Sequence, residues 1–110
     1  MTTRVIVGER VKIFLESLAP EPRRKLWHSI KELARDKADI KQLEGRLVFY
    51  WRLRGDRMRV VYEQRAVRGE RQIVCFFSDY RATVYSVLEQ LLVSGLVAEI
   101  RASPEEESDG

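Results

Sequence analysis

Apolar residues Val11, Phe14, Leu15 and Leu18 recur at i, i+3, i+4 and i+7, the stripe of an amphipathic helix. Ahead of them, residues 4–7 read as a short strand. Pro20-Glu21-Pro22 ends the helix, and Pro22 suits the first turn of a second one. There Leu26, Ile30, Leu33 and Ala34 make the buried side with Trp27 flanking it, while Arg23, Arg24, Lys25 and Lys31 line the rest. Two helices joined by so short a link predict a helix hairpin. Between 36 and 45 the pattern lapses into a connector with Leu43 as an anchor. After Gly45 the period changes from 3.6 to 2, which predicts strands over 47–54, 57–64 and 71–77. Val84, Val87, Leu88, Leu91 and Leu92 then mark a C-terminal helix. The order predicts an α+β fold: an N-terminal strand and helix hairpin packed on a mainly antiparallel sheet, with a C-terminal helix. One domain covers 1–102, and the acidic segment 103–110 is too polar to pack and is expected to be disordered.

The first two sheet strands flank Gly55-Asp56, which fits a two-residue hairpin loop with glycine first. That loop pairs Leu53 with Met58, Trp51 with Val60 and Phe49 with Tyr62 on the core face. The opposite face then pairs Arg54 with Arg57, Arg52 with Arg59 and Tyr50 with Val61. Like charges opposed across strands cost something like 0.2–1 kcal/mol per pair. Two explanations fit. Salt, or acids from elsewhere such as Glu63 or the tail, relieve a solvated surface; or a polyanion supplies the missing charge. Arginine offers planar, bidentate recognition of phosphate, and Tyr50 beside it could stack on a base. Tyr50, Arg54 and Arg57 are therefore the candidate nucleic-acid contacts.

Charge strengthens the second explanation. The 110 residues carry 20 Lys+Arg against 17 Asp+Glu, but the last eight hold four acids and no base, so the rest has 20 against 13, a net +7. Such a body favours an acidic partner, nucleic acid first among them. The single Cys75 excludes an internal disulfide, and its apolar neighbours Val74 and Phe76 make it a small buried hydrophobe. Val5-Ile6-Val7 is too short for a signal-peptide core. Residues 91–100 are broken by Ser94, Gly95 and Glu99 and are too few to span a bilayer. A cytoplasmic location is expected.

Chemistry has few candidates. His28, the one histidine, falls toward the polar side of the second helix, which excludes a two-histidine mechanism. Arginines stabilise anionic transition states but are poor bases. Tyr85, next to the core residue Val84, points about 100° off the helix stripe; it either packs for area or turns its hydroxyl toward the sheet. No Cys/His cluster, glycine-rich phosphate loop or carboxylate motif argues for a metal or nucleotide cofactor.

Leu43-Glu44-Gly45, Arg52-Leu53-Arg54, Met58-Arg59-Val60-Val61-Tyr62-Glu63 and Tyr80-Arg81-Ala82-Thr83-Val84-Tyr85, in that order, resemble the RelE/ParE superfamily of bacterial toxins. The likeness runs from about residue 5 to 92. It implies the toxin of a type II toxin–antitoxin system: a metal-independent endoribonuclease (mRNA interferase) that cuts mRNA on the ribosome, inhibits translation and is silenced by a cognate antitoxin. By the same resemblance, Arg52, Arg59, Arg81 and Tyr85 match the family's catalytic positions. Tyr50 stands where these enzymes often carry a second lysine, and Asp79 where they carry an arginine; both departures bear on RNA cleavage more than on the fold. The alternatives are a ParE-like toxin that binds DNA gyrase without chemistry, or a degenerate member that binds only antitoxin or RNA.

Overall fold

A computed structural model describes residues 2–95 and 105–107. The chain runs β1 (Thr2–Gly8), α1 (Glu9–Glu16), α2 (Pro20–Glu32), β2 (Ile40–Gln42), β3 (Trp51–Gly55), β4 (Met58–Val67), β5 (Glu70–Tyr80), α3 (Val84–Val93) and β6 (Glu105–Glu107). The sheet order is β2-β3-β4-β5-β1-β6. β1 lies parallel to β5, and the other neighbours are antiparallel. This is the expected α+β architecture. Among the described residues no helix is long and apolar enough to cross a membrane.

The helix hairpin forms where the stripe places it. α2 begins two residues earlier than expected, at Pro20, with proline in its first turn where the missing N–H costs nothing. Arg23 fastens the link by donating from Nη2 to the Leu18 carbonyl at 2.9 Å. Val11 and Leu15 of α1 and Leu26 and Ile30 of α2 bury against Leu53, Val60, Tyr62, Ile73 and Cys75, all 1% exposed or less. Each such aliphatic side chain contributes roughly 1.5–3 kcal/mol of burial.

The β3–β4 turn corrects the expected register. Gly55 is the last strand residue and pairs with Met58, so Asp56 and Arg57 form the loop. Leu53 pairs with Val60, Trp51 with Tyr62, Arg52 with Val61 and Arg54 with Arg59. The physical reason lies in α2: a Cβ on residue 55 would meet Leu26 Cδ1 at 2.7 Å. Glycine is spent on that close approach, and Asp56 takes the positive φ of 59°. The next hairpin turns through Arg68 (φ 51°) and Gly69 (φ 78°).

The sheet's other face is not all solvent. Leu47, Tyr50, Val61, Phe76, Phe77, Val84 and Leu88 form a second buried cluster under α3. A bulge between Val61, opposite Phe77, and Tyr62, opposite Cys75, admits Phe76 as the extra residue. Phe49, expected opposite Tyr62, precedes the strand and is exposed. The connector also departs from expectation: residues 40–42 form β2 on the outer edge of β3. Of the tail expected to lack structure, Glu105–Glu107 pair with Gly8, Val7 and Ile6 of β1. Positions 103–104 and 108–110 lie outside the described residues.

Candidate functional site

Three of the sequence candidates converge where β3 and β4 meet the start of α3. Arg59 is 6% exposed, and its Nη1 donates to the carbonyls of Asp56 and Met58, each at 2.9 Å. The same guanidinium lies within electrostatic reach of the Tyr85 side chain. Burial lowers the Arg59 pKa, nearby Arg52 and Arg54 lower it further, and Tyr85 opposes them. Arginine's intrinsic basicity leaves it a cation at neutral pH. Tyr85 is half-buried on the first turn of α3.

Arg52 joins Tyr85 on the wall of a pocket of about 300 Å³, with Lys41, Gln42, Glu44 and Leu47. Its Nη1 is buried and makes no hydrogen bond; Asp39 Oδ1 stands 3.5 Å away. The other Asp39 oxygen is 3.8 Å from Arg54 Nη1, and the Asp39 carbonyl accepts from the Arg54 N–H at 2.9 Å. A larger cavity of about 520 Å³ opens between α2 and the β3–β4 turn, bordered by Lys25, Ser29, Arg54 and Asp56, and Tyr85 is not on its wall.

The remaining candidates divide. Arg57 and Arg81 are exposed on two loops tied at one sheet end, where the Arg81 N–H donates to the Arg57 carbonyl at 2.7 Å. Neither lines the pocket of Arg52 and Tyr85. Tyr50 is corrected outright as a base-stacking residue. It is 6% exposed, with its ring centroid 5.1 Å from that of Phe76, and presents no free face. The covering helix α3 takes the surface that strand alternation alone would assign to solvent. Cys75 is buried as expected, and the His28 side chain is 74% exposed, 3.8 Å from Glu32. The sequence does not single out Lys41, because three residues of β2 are too few to show a period.

No family model and no curated protein matches this sequence. The structure is similar to a chain of the crystal structure of the RelB–RelE antitoxin–toxin complex from Methanococcus jannaschii. Identity is 17%, the TM-score is 0.52, and the match covers 74% of this chain and 95% of that one. At that identity the likeness speaks for the fold.

Proposed function

We propose that this chain is the toxin of a type II toxin–antitoxin system and cleaves mRNA without a metal ion. The observation that carries this reading is the pocket that Arg52 shares with Tyr85, with the buried Arg59 guanidinium within electrostatic reach of that tyrosine. The fold shared with a chain of an antitoxin–toxin complex supports the system, and the motifs around Arg52, Arg59 and Tyr85 support the toxin side. A cognate antitoxin is the protein partner that this assignment carries with it.

The chemistry needs three functions. The ribose 2′-hydroxyl attacks the adjacent phosphorus and the bond to the 5′-oxygen breaks, leaving a 2′,3′-cyclic phosphate and a 5′-hydroxyl. One proton leaves the 2′-oxygen and one reaches the 5′-oxygen. Arg52 binds the phosphate and offsets its growing charge. Arg59 stands beside Tyr85, whose hydroxyl gives its proton to the leaving 5′-oxygen, while solvent water takes the proton of the 2′-hydroxyl. Arg54, Arg57 and Arg81 line the approach at the sheet end and steer the strand by charge.

Induced expression in a bacterium tests the reading. Translation arrest with mRNA cut to 5′-hydroxyl ends is expected, and Tyr85→Phe should abolish the cuts while leaving the melting temperature unchanged. Full toxicity of Tyr85→Phe refutes the site. A second reading, a toxin that binds DNA gyrase without chemistry, draws on the burial of Arg59 and on Asp79 as its cross-strand neighbour. It predicts filamentation and DNA damage with mRNA intact.

A further inference from the structure

β2 brings a further cation to the pocket. Lys41 lies directly opposite Arg52 in the β2–β3 ladder, and both border the pocket that Tyr85 lines. Two cations opposed across strands repel. Glu44 is the one acid among the pocket's lining residues, so the lining is net positive by one charge. Asp39, two residues before Lys41, leans toward the same arginines, and its fit there is poor. Its oxygens stand 3.5 Å from Arg52 and 3.8 Å from Arg54, longer than a charge-assisted hydrogen bond. The Arg52 Nη1 beneath it is buried without a hydrogen bond. A donor left in that state is one that a better-placed acceptor would satisfy.

We propose that Lys41 and Arg52 together form the phosphate subsite beside Tyr85, and that Asp39 is an internal anion which an RNA phosphate displaces. This deepens the reading of the chain as an RNA-cutting protein and rests on it for the identity of the ligand. Asp39 is 58% exposed and shared between two guanidinium groups, so its hold is weak. A phosphodiester carries the same charge, offers two oxygens to one guanidinium, and gains from each neighbouring phosphate that meets a cation. Asp39 thus keeps the empty site from self-repulsion and sets a threshold that isolated anions do not pass. Lys41 supplies a cation on the strand adjacent to Arg52, where a side chain at the buried Tyr50 position cannot reach solvent.

A uniformly 2′-O-methylated single-stranded oligoribonucleotide, which cannot be cut through its 2′-oxygen, reads binding apart from cleavage. Lys41→Ala should weaken binding about threefold to tenfold and reduce the salt slope by about 0.7, the loss of one phosphate contact on a single strand. Lys41→Arg should restore both. Asp39→Asn should tighten binding about twofold to fivefold. Thermal melts should place the two Lys41 variants within a degree or two of the parent. Parent-like binding by Lys41→Ala, unchanged or weaker binding by Asp39→Asn, or no RNA binding by the parent overturns the subsite. Cleavage of unmodified mRNA separates the two ideas. Binding that follows the predicted changes without any cleavage supports the subsite and defeats the catalytic reading. Cleavage by the parent with binding indifferent to Lys41 and Asp39 defeats the subsite alone.

Discussion

Arg54 and Arg59 stand directly opposite each other across the β3–β4 ladder. The repulsion costs about 0.2–1 kcal/mol. Asp39, 3.8 Å from Arg54 and largely exposed, returns only a screened fraction of that. Replacing Arg54 with threonine should therefore raise the melting temperature slightly, by about 1–4 °C. The same change should weaken single-stranded RNA binding and flatten its salt dependence. Thermal melts and salt titrations of binding check both halves, and a melting temperature several degrees lower would show the Asp39 pair outweighing the repulsion.

Arg59 is expected to be expensive to lose for a different reason. Its Nη1 serves two carbonyls of the hairpin inside a site where water does not easily replace it. Arg59→Ala leaves those acceptors without their donor and should cost about 1–3 kcal/mol. Arg59→Lys keeps the charge but not the fork, so it should recover part of the stability and little of any RNA cleavage. Denaturant unfolding beside a cleavage assay separates these losses; equal recovery of both by lysine would mean that charge alone matters.

How far the sequence carried the fold can be read from the same hairpin. Alternation placed Leu53, Met58 and Val60 on the helix side, where they lie. Moving the loop one residue along shifts each partner by two positions, and an even shift leaves the faces unchanged. The arginine pairs did change, because the loop position depends on Leu26 pressing on Gly55, a contact between elements far apart in sequence. Strand alternation alone assigns Tyr50 to solvent, because it allows for only one buried face of the sheet. The unbroken run from Ile73 to Phe77 was the available signal that the sheet is covered on both sides. The apolar stripe of Val84 and Leu88 needed a partner surface, and Tyr50 with Val61 belongs to it.

Tyr62 gives a pH-dependent prediction. Its ring is fully buried and its hydroxyl has no hydrogen-bond partner. Burial, then the neighbouring Cys75, hold its pKa far above the ordinary tyrosine value, with Arg71 pulling the other way. The folded state keeps this proton when the unfolded chain releases it, near pH 10. Folding stability should therefore fall as pH rises above about 10, at up to roughly 1.4 kcal/mol per pH unit. Tyr62→Phe removes both the unsatisfied hydroxyl and the titration. It should be neutral or stabilising by about 1 kcal/mol at pH 7, with a shallower alkaline loss. Denaturant midpoints from pH 7 to 11 check this, and an identical alkaline limb in both proteins would assign the loss to other groups.

Gly55 and Asp56 should respond in opposite directions to the residues that ordinary turn rules favour. Asp56 holds φ at 59°, so Asp56→Gly removes a mild backbone strain and keeps the carbonyl that accepts from Arg59; a gain of about 0.3–1 kcal/mol is expected. Gly55→Ala drives its Cβ to 2.7 Å from Leu26 Cδ1. Leu26 is 1% exposed and has no room to swing away, so a loss of about 1–3 kcal/mol follows. The cause can be tested by a cycle. Leu26→Ala alone should cost about 2–5 kcal/mol, but with Gly55→Ala already present the new methyl occupies part of the vacated space. The double variant should then be more stable than the sum of the two losses predicts, by at least about 0.5 kcal/mol. Strict additivity would mean that the alanine at 55 destabilises through the strand backbone, not through α2.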